Sequence, residues 1–258
     1  MTALTERFKK YSFLFEELVK RDFKKKYKRT FLGILWSLLS PLMQLFVMTI
    51  VFTSFFGRNT PHFTIYLFSG LLVYNFFKES TSGGMIALTA NADVISKINT
   101  PKYIFLLSKN VSVLINFGLS LIIFFIFVAA DRIAFHPRFL LLIYPILCLT
   151  FFNIGVGLIL SALYVFFKDT QYLYDIFTLL LMYVSAIFYP IDLFSPALQR
   201  VFLLNPVFAY IHYFRLVVLY KLVPSINVHL ICGLYAAAAL FIGGFIYRRY
   251  NYRFVYYM

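Results

Sequence analysis

Apolar residues in this chain run together in long blocks instead of alternating with polar ones. Six blocks, at 30–56, 63–88, 103–130, 139–167, 176–190 and 227–247, approach the roughly 20 residues a helix needs to cross a hydrocarbon core. They predict an all-α integral membrane fold with six transmembrane helices. Residues 1–29 follow a different rhythm: Phe8, Tyr11, Phe15, Val19 and Phe23 recur at helical spacing, with Lys10, Arg21, Lys24 and Lys28 mostly opposite. That is an amphipathic helix lying in the interface. Residues 191–224 are too apolar for a loop, yet Pro196 and Pro206 break them. A seventh span over 207–223 would put Arg215 in lipid and place three C-terminal arginines outside, so two re-entrant helices dipping from the outer face fit better.

Polar residues interrupt the second block from Lys78 and Glu79 through Gly84. At that depth they must face protein or a watery cavity, because lipid offers no hydrogen-bond partner. Between the second and third blocks, Asn91 can cap a short helix over about 91–99, which Pro101 ends. A soluble partner can grip such a helix.

Basic residues set the orientation. With the N-terminus inside, sixteen Lys and Arg fall on inner segments, ten of them in the first 29 residues, and six on outer ones. Both termini are then cytoplasmic. With 62% hydrophobic residues the chain has too much apolar surface to fold in water. Its net charge of +14 sits largely beside the spans, where anionic lipids attract it, so nucleic acid is not the expected partner. No cleavable signal peptide is expected, since the first apolar run follows a long charged segment. Cys148 and Cys232 lie inside apolar runs and read as small hydrophobes.

Catalytic signatures do not emerge. There is no GxxxxGK[ST] loop to cradle a nucleotide, no HExxH and no CxxC, and the four histidines lack metal-ligand spacing. No metal site is expected. Asp131 and Asp192 outside, and Asp93, Asp169 and Asp175 inside, are scattered rather than gathered for proton transfer. Aromatic residues are abundant, and Trp36, Tyr74, Tyr183, Phe188 and Tyr189 are placed nearest a pathway by their depth in the sequence.

The segment at 21–43, RDFKKKYKRTFLGILWSLLSPLM, resembles the N-terminal signature of type-2 ABC export permeases for polysaccharides or polyol phosphates. NADVISKINTPKY at 91–103 looks like that family's coupling helix and FKDTQYLYD at 167–175 like its second cytoplasmic turn, although Lys168-Asp169 stands where Arg-Asp is usual. The stretch at 186–215 looks like its outer re-entrant region. The resemblance implies a permease homodimer in the bacterial cytoplasmic membrane, with two copies of a separate ABC ATPase that bind ATP and Mg, this chain holding no cofactor. The cargo implied is an undecaprenyl-pyrophosphate-linked glycan or teichoic-acid-like polymer. Asn91, Ala92, Asp93, Val94, Ile95, Lys97, Lys168 and Asp169 are the implied ATPase contacts, and Lys24, Lys25, Lys26, Lys28 and Arg29 the candidate pyrophosphate contacts. Two alternatives stand beside this reading: an ABC permease for a drug or lipid, and a membrane glycosyl- or phosphotransferase using a polyprenyl lipid.

Overall fold

The computed structural model describes residues 2–27, 30, 32–57, 60–97 and 100–257. Among them are eleven α-helices and no strand: α1 (Thr2–Tyr27), α2 (Trp36–Phe52), α3 (Phe63–Ile86), α4 (Ala92–Lys97), α5 (Tyr103–Ala130), α6 (Ile143–Phe166), α7 (Thr170–Val184), α8 (Pro196–Phe202), α9 (Pro206–Val218), α10 (Ile226–Tyr250) and α11 (Phe254–Tyr257).

Among the described residues, four helical stretches are long and apolar enough to cross a membrane: Trp36–Phe56, Tyr103–Ala130, Pro137–Phe166 and Ile226–Tyr250. The bent pair α8 and α9 makes a fifth only if counted as one span. The expected second and fifth spans take a different form. α3 has the length but is too polar by composition, and 18 of its 24 residues are buried against α2, α5, α6, α7 and α9. A helix enclosed by protein can carry polar side chains that a lipid-facing one cannot. α7 begins and ends six residues earlier than 176–190 and is only 15 residues long.

The reason for that early end is a buried arginine. The chain turns sharply after Val184, with Ala186 at φ 48°, and Arg215 of α9 gathers the turn. Its Nη1 donates to the Ala186 carbonyl at 2.8 Å, and its Nη2 donates to the carbonyls of Ile187 and Tyr66, each at 3.2 Å. Its guanidinium carbon lies 3.4 Å from the Tyr66 ring centre, a cation–π contact in a dry site. Tyr66 Oη donates to the Tyr189 carbonyl at 2.8 Å. Gly70 leaves room for this cluster, since a Cβ there would meet Nη2 at 3.0 Å. Arg215 is therefore enclosed in protein, at 3% exposure, and not on the outer surface where charge counting places it.

α8 and α9 meet at 111°. Asn205 sets the corner: its Oδ1 accepts from the backbone N–H of Val207 and Phe208 at the start of α9, where Pro206 supplies the first helical position. Its Nδ2 donates to Ser185 Oγ at 2.9 Å, tying the corner to the end of α7.

α6 and α10 form the tightest helix pair. A Cβ on Gly155 would lie 2.3 Å from the Ala239 carbonyl carbon, and one on Gly243 would lie 2.3 Å from the Gly155 oxygen. Helices approach this closely only where side chains are missing. Cys148 and Cys232 are both buried free thiols. At one end of the bundle a second core joins Leu18 of α1, Ile95 of α4, Ile104 and Phe105 of α5, Ala162 and Val165 of α6, Tyr247 of α10 and Phe254 of α11. The buried face of α1 runs through Tyr11, Leu14, Phe15 and Leu18. That is rotated from the expected stripe, while Phe13 points outward at 73% exposure.

Two outcomes follow for thermal melting of the detergent-purified chain. Gly155→Ala should destabilise by about 1–3 kcal/mol through overpacking, whereas Gly118→Ala, which meets nothing within 4 Å, should gain about 0.5–1 kcal/mol of helix propensity; equal melting points would refute the close-approach argument. Arg215→Met should cost about 3 kcal/mol, the scale for breaking a buried charge's hydrogen bonds. Arg215→Lys should recover only part of it, because an ammonium lacks the planar fork.

Candidate functional site

Two regions carry polar groups that the fold alone does not account for. The first is the end of the bundle that holds α4. A 3-10 turn, Thr89–Asn91, leads straight into this helix. Asn91 does not cap it: its Nδ2 donates back to the Ala87 carbonyl at 2.7 Å, and its Oδ1 is buried without a partner. The continuous turn already occupies the first backbone donors, so a side-chain cap is not needed. Ile95 points inward to the second core and Val94 packs at its edge. The outward face of α4 is therefore Asp93, Ser96 and Lys97, with Ala92 half-buried. Residues 98 and 99, the end of the expected helix, lie outside the described residues.

Lys168 and Asp169, between α6 and α7, emerge at this same end, because Leu88 and Ile95 share a core with Ala162 and Val165. Lys168 Nζ sits 4.5 Å from the Tyr164 ring centre, and partial burial pushes its ammonium below the usual lysine range. Asp169 is exposed and precedes α7 without a side-chain cap. Lys102 Nζ donates to the Asn251 carbonyl at 2.5 Å and lies 5.9 Å from the Phe254 ring, so the start of α5 is bound to the C-terminal segment. Burial lowers the pKa of Lys102 as well.

α1 packs along α5, and Leu18 in the second core brings the neighbouring Lys20 and Arg21 toward this end. Lys20 pairs with Glu17 at 3.1 Å and Arg21 with Asp22 at 2.8 Å, while Lys24 is exposed. Lys25 and Lys26 continue α1; Lys28 and Arg29 lie outside the described residues. The Lys20–Glu17 pair is exposed on both sides and contributes little stability, whereas the Asp22 carboxylate of the second pair is largely covered.

The second region is a cleft of about 400 Å³ between α2, α3 and α5. Its wall combines Trp36 and Pro41 with Ser37, Ser40, Gln44, Asn75, Lys78, Glu79, Ser82, Asn116 and Ser120. Asn75 Nδ2 donates to Gln44 Oε1 at 2.7 Å across α3 and α2. Lys78 is exposed and Glu79 half-buried, so the interrupted part of the second apolar block opens onto this cleft. The polar run at 78–84 was the signal for it; Gln44, Asn116 and Ser120 gave none, being single polar residues in apolar blocks.

Of the five expected pathway aromatics, Tyr183 and Phe188 meet with ring centres 5.8 Å apart and the Tyr189 hydroxyl donates to the Tyr183 carbonyl, whereas Trp36 and Tyr74 lie on other helices. Trp36 is 45% exposed at the cleft and Tyr183 is exposed on α7. Tyr74 is buried, donating to the Thr178 carbonyl at 2.7 Å, and Phe188 is buried against Phe52 with ring centres 4.7 Å apart. Among the described residues no group of three or more His, Cys, Asp or Glu is arranged to hold a metal. Asp131 is engaged with His62 Nδ1 at 2.7 Å.

Comparison with known proteins fits this layout. The family model for ABC-2 type transporters matches residues 14–219. The chain is 29% identical over 194 residues to an O-antigen export system permease protein RfbA of Myxococcus xanthus, covering 74% of each chain. It is 27% identical over 201 residues to an O-antigen export system permease protein RfbA of Klebsiella pneumoniae, covering 75% of this chain and 76% of that one. Permeases of this family are the non-catalytic membrane subunits, paired with a separate ABC ATPase subunit that hydrolyses ATP. On a match running through well over half of its length, from the amphipathic helix to the end of the buried arginine's helix, this multi-pass membrane chain belongs to the ABC-2 type transporter family.

Proposed function

We propose that this chain is the channel-forming half of an exporter that moves a polysaccharide or polyol phosphate, carried on undecaprenyl pyrophosphate, out of a bacterial cell. Two copies form the conduit in the cytoplasmic membrane, and two ATPase subunits, with ATP and Mg, dock on the α4 end. That end is cytoplasmic, as are both termini. In this reading α3 and α7 serve as the second and fifth of six spans, and α8 and α9 form the re-entrant pair. The names of the relatives from Myxococcus and Klebsiella support the cargo class.

The observation that carries the proposal is the second core. It binds α4 to α1, α5, α6, α10 and α11 at once, so a push on the exposed face of α4 reaches the ends of three long helices and the basic interfacial helix together. A rigid connection of this kind is what a motor on another subunit requires. The excess apolar surface of α2 (Met43, Phe46, Val47, Ile50) and α7 (Leu173, Ile176, Leu180, Val184) leaves room for a second copy as well as lipid. The basic cluster of Lys24, Lys25, Lys26, Lys28 and Arg29 supplies charge for the pyrophosphate.

The test uses charge reversal on the outward face of α4, which spares the core. Asp93→Lys combined with Lys97→Glu should lower ATP turnover of the reconstituted complex by about tenfold or more, equivalent to losing about 1.4 kcal/mol of coupling, while the permease still inserts and melts normally. Full turnover and full assembly with the ATPase would refute the coupling role. For the cargo, a strain lacking this chain should lose its surface polymer and regain it with the wild-type chain.

A further inference from the structure

The cleft between α2, α3 and α5 holds more polar groups than the one bond between Gln44 and Asn75 uses. We infer that it is a binding site, built within one protomer, for an uncharged hydroxyl-rich group, a sugar unit of the transported chain. This inference rests on the polysaccharide reading above and adds a place where the glycan itself, rather than its pyrophosphate, is held.

Three observations point to it. Gln44 and Asn75 bond to each other through one donor and one acceptor and to no other protein group among the described residues. An amide has two donors and a two-lone-pair acceptor. The Gln44 amide nitrogen and the Asn75 carbonyl oxygen are thus left over, a donor and an acceptor in one cleft, the pair of functions that a hydroxyl complements. Ser82 Oγ, in the same wall, is buried with no protein partner, and an unsatisfied group in an apolar surround costs about 1–3 kcal/mol until something bonds to it.

Second, Trp36 is the chain's one tryptophan, lines the same cleft and keeps 45% of its surface open. Its flat electron-rich face suits the C–H face of a pyranose ring, while its neighbours supply the polar edge. Third, the cleft carries both Lys78 and Glu79, so it has no net charge to favour a phosphate or an anionic headgroup. Its volume lies within the range of about 300–1,000 Å³ found for small-molecule sites.

The tryptophan supplies the readout. The purified full-length chain in phosphatidylcholine nanodiscs is titrated with short oligosaccharides cut from the polymer that the host displays, and separately with inorganic pyrophosphate. A saturable change in Trp36 emission is expected with the oligosaccharide and none with pyrophosphate. Gln44→Leu and Asn75→Leu should each weaken it by about tenfold, the scale of one lost buried hydrogen bond. Gln44→Glu keeps the shape, removes the donor and should show the same loss if a leucine variant fails to insert.

An absent Trp36 response, an equal response in Gln44→Leu, Asn75→Leu and Gln44→Glu, or a larger response to pyrophosphate would each overturn the site. Surface polymer separates the two readings. A strain lacking this chain that still displays polymer sinks the export reading. A strain restored equally by wild type and by Gln44→Leu, with no Trp36 response, sinks only the sugar site.

Discussion

In an apolar surround each polar group must find its partner inside the protein, and here many such partners meet on one helix. α3 carries them. Its Tyr66 and Ser69 receive Arg215 from α9, and its Asn75 bonds Gln44 of α2. Ser80 bonds Asn110 of α5, while Tyr74 and Thr81 exchange hydrogen bonds with Thr178 and Tyr174 of α7. Four neighbours are thus each fixed to α3 by side-chain hydrogen bonds, in a medium where packing alone gives little direction. The other elements are arranged around this spine.

The two bonds to α7 have a further consequence. Tyr74 donates outward from α3 and Tyr174 donates inward from α7, at 2.7 and 2.5 Å, and these fix the register of a helix that buries only Tyr174 and Thr178. α7 is held by few contacts and leaves its remaining apolar side open. α6 and α10, by contrast, touch backbone to backbone at Gly155 and Gly243. The protein therefore contains a rigid pair and a lightly attached helix, the combination expected where one part must move against another.

The α4 end shows the opposite strategy. Its core is built from six separate segments, each contributing one or two apolar side chains, and Lys102 closes it by reaching the backbone of Asn251. Short helices such as α4 and α11 have little stability of their own. They hold their shape because Ile95 and Phe254 are buried in a core shared with the long helices, so a force applied to one of them is carried into the others.

The long, evenly apolar helices α5, α6 and α10 were legible within a few residues, because an unbroken apolar run of that length has few other stable forms. So were the short helix after the second block and the break between α8 and α9. Which apolar helix lies inside and which faces out was not legible, since lipid and protein interior are equally apolar and hydropathy does not separate them. The interior position of α3, the early end of α7 and the cleft depend on pairs such as Tyr66 with Arg215, Thr81 with Tyr174 and Gln44 with Asn75. Those residues lie far apart along the chain, and only the tertiary structure brings them within hydrogen-bonding distance.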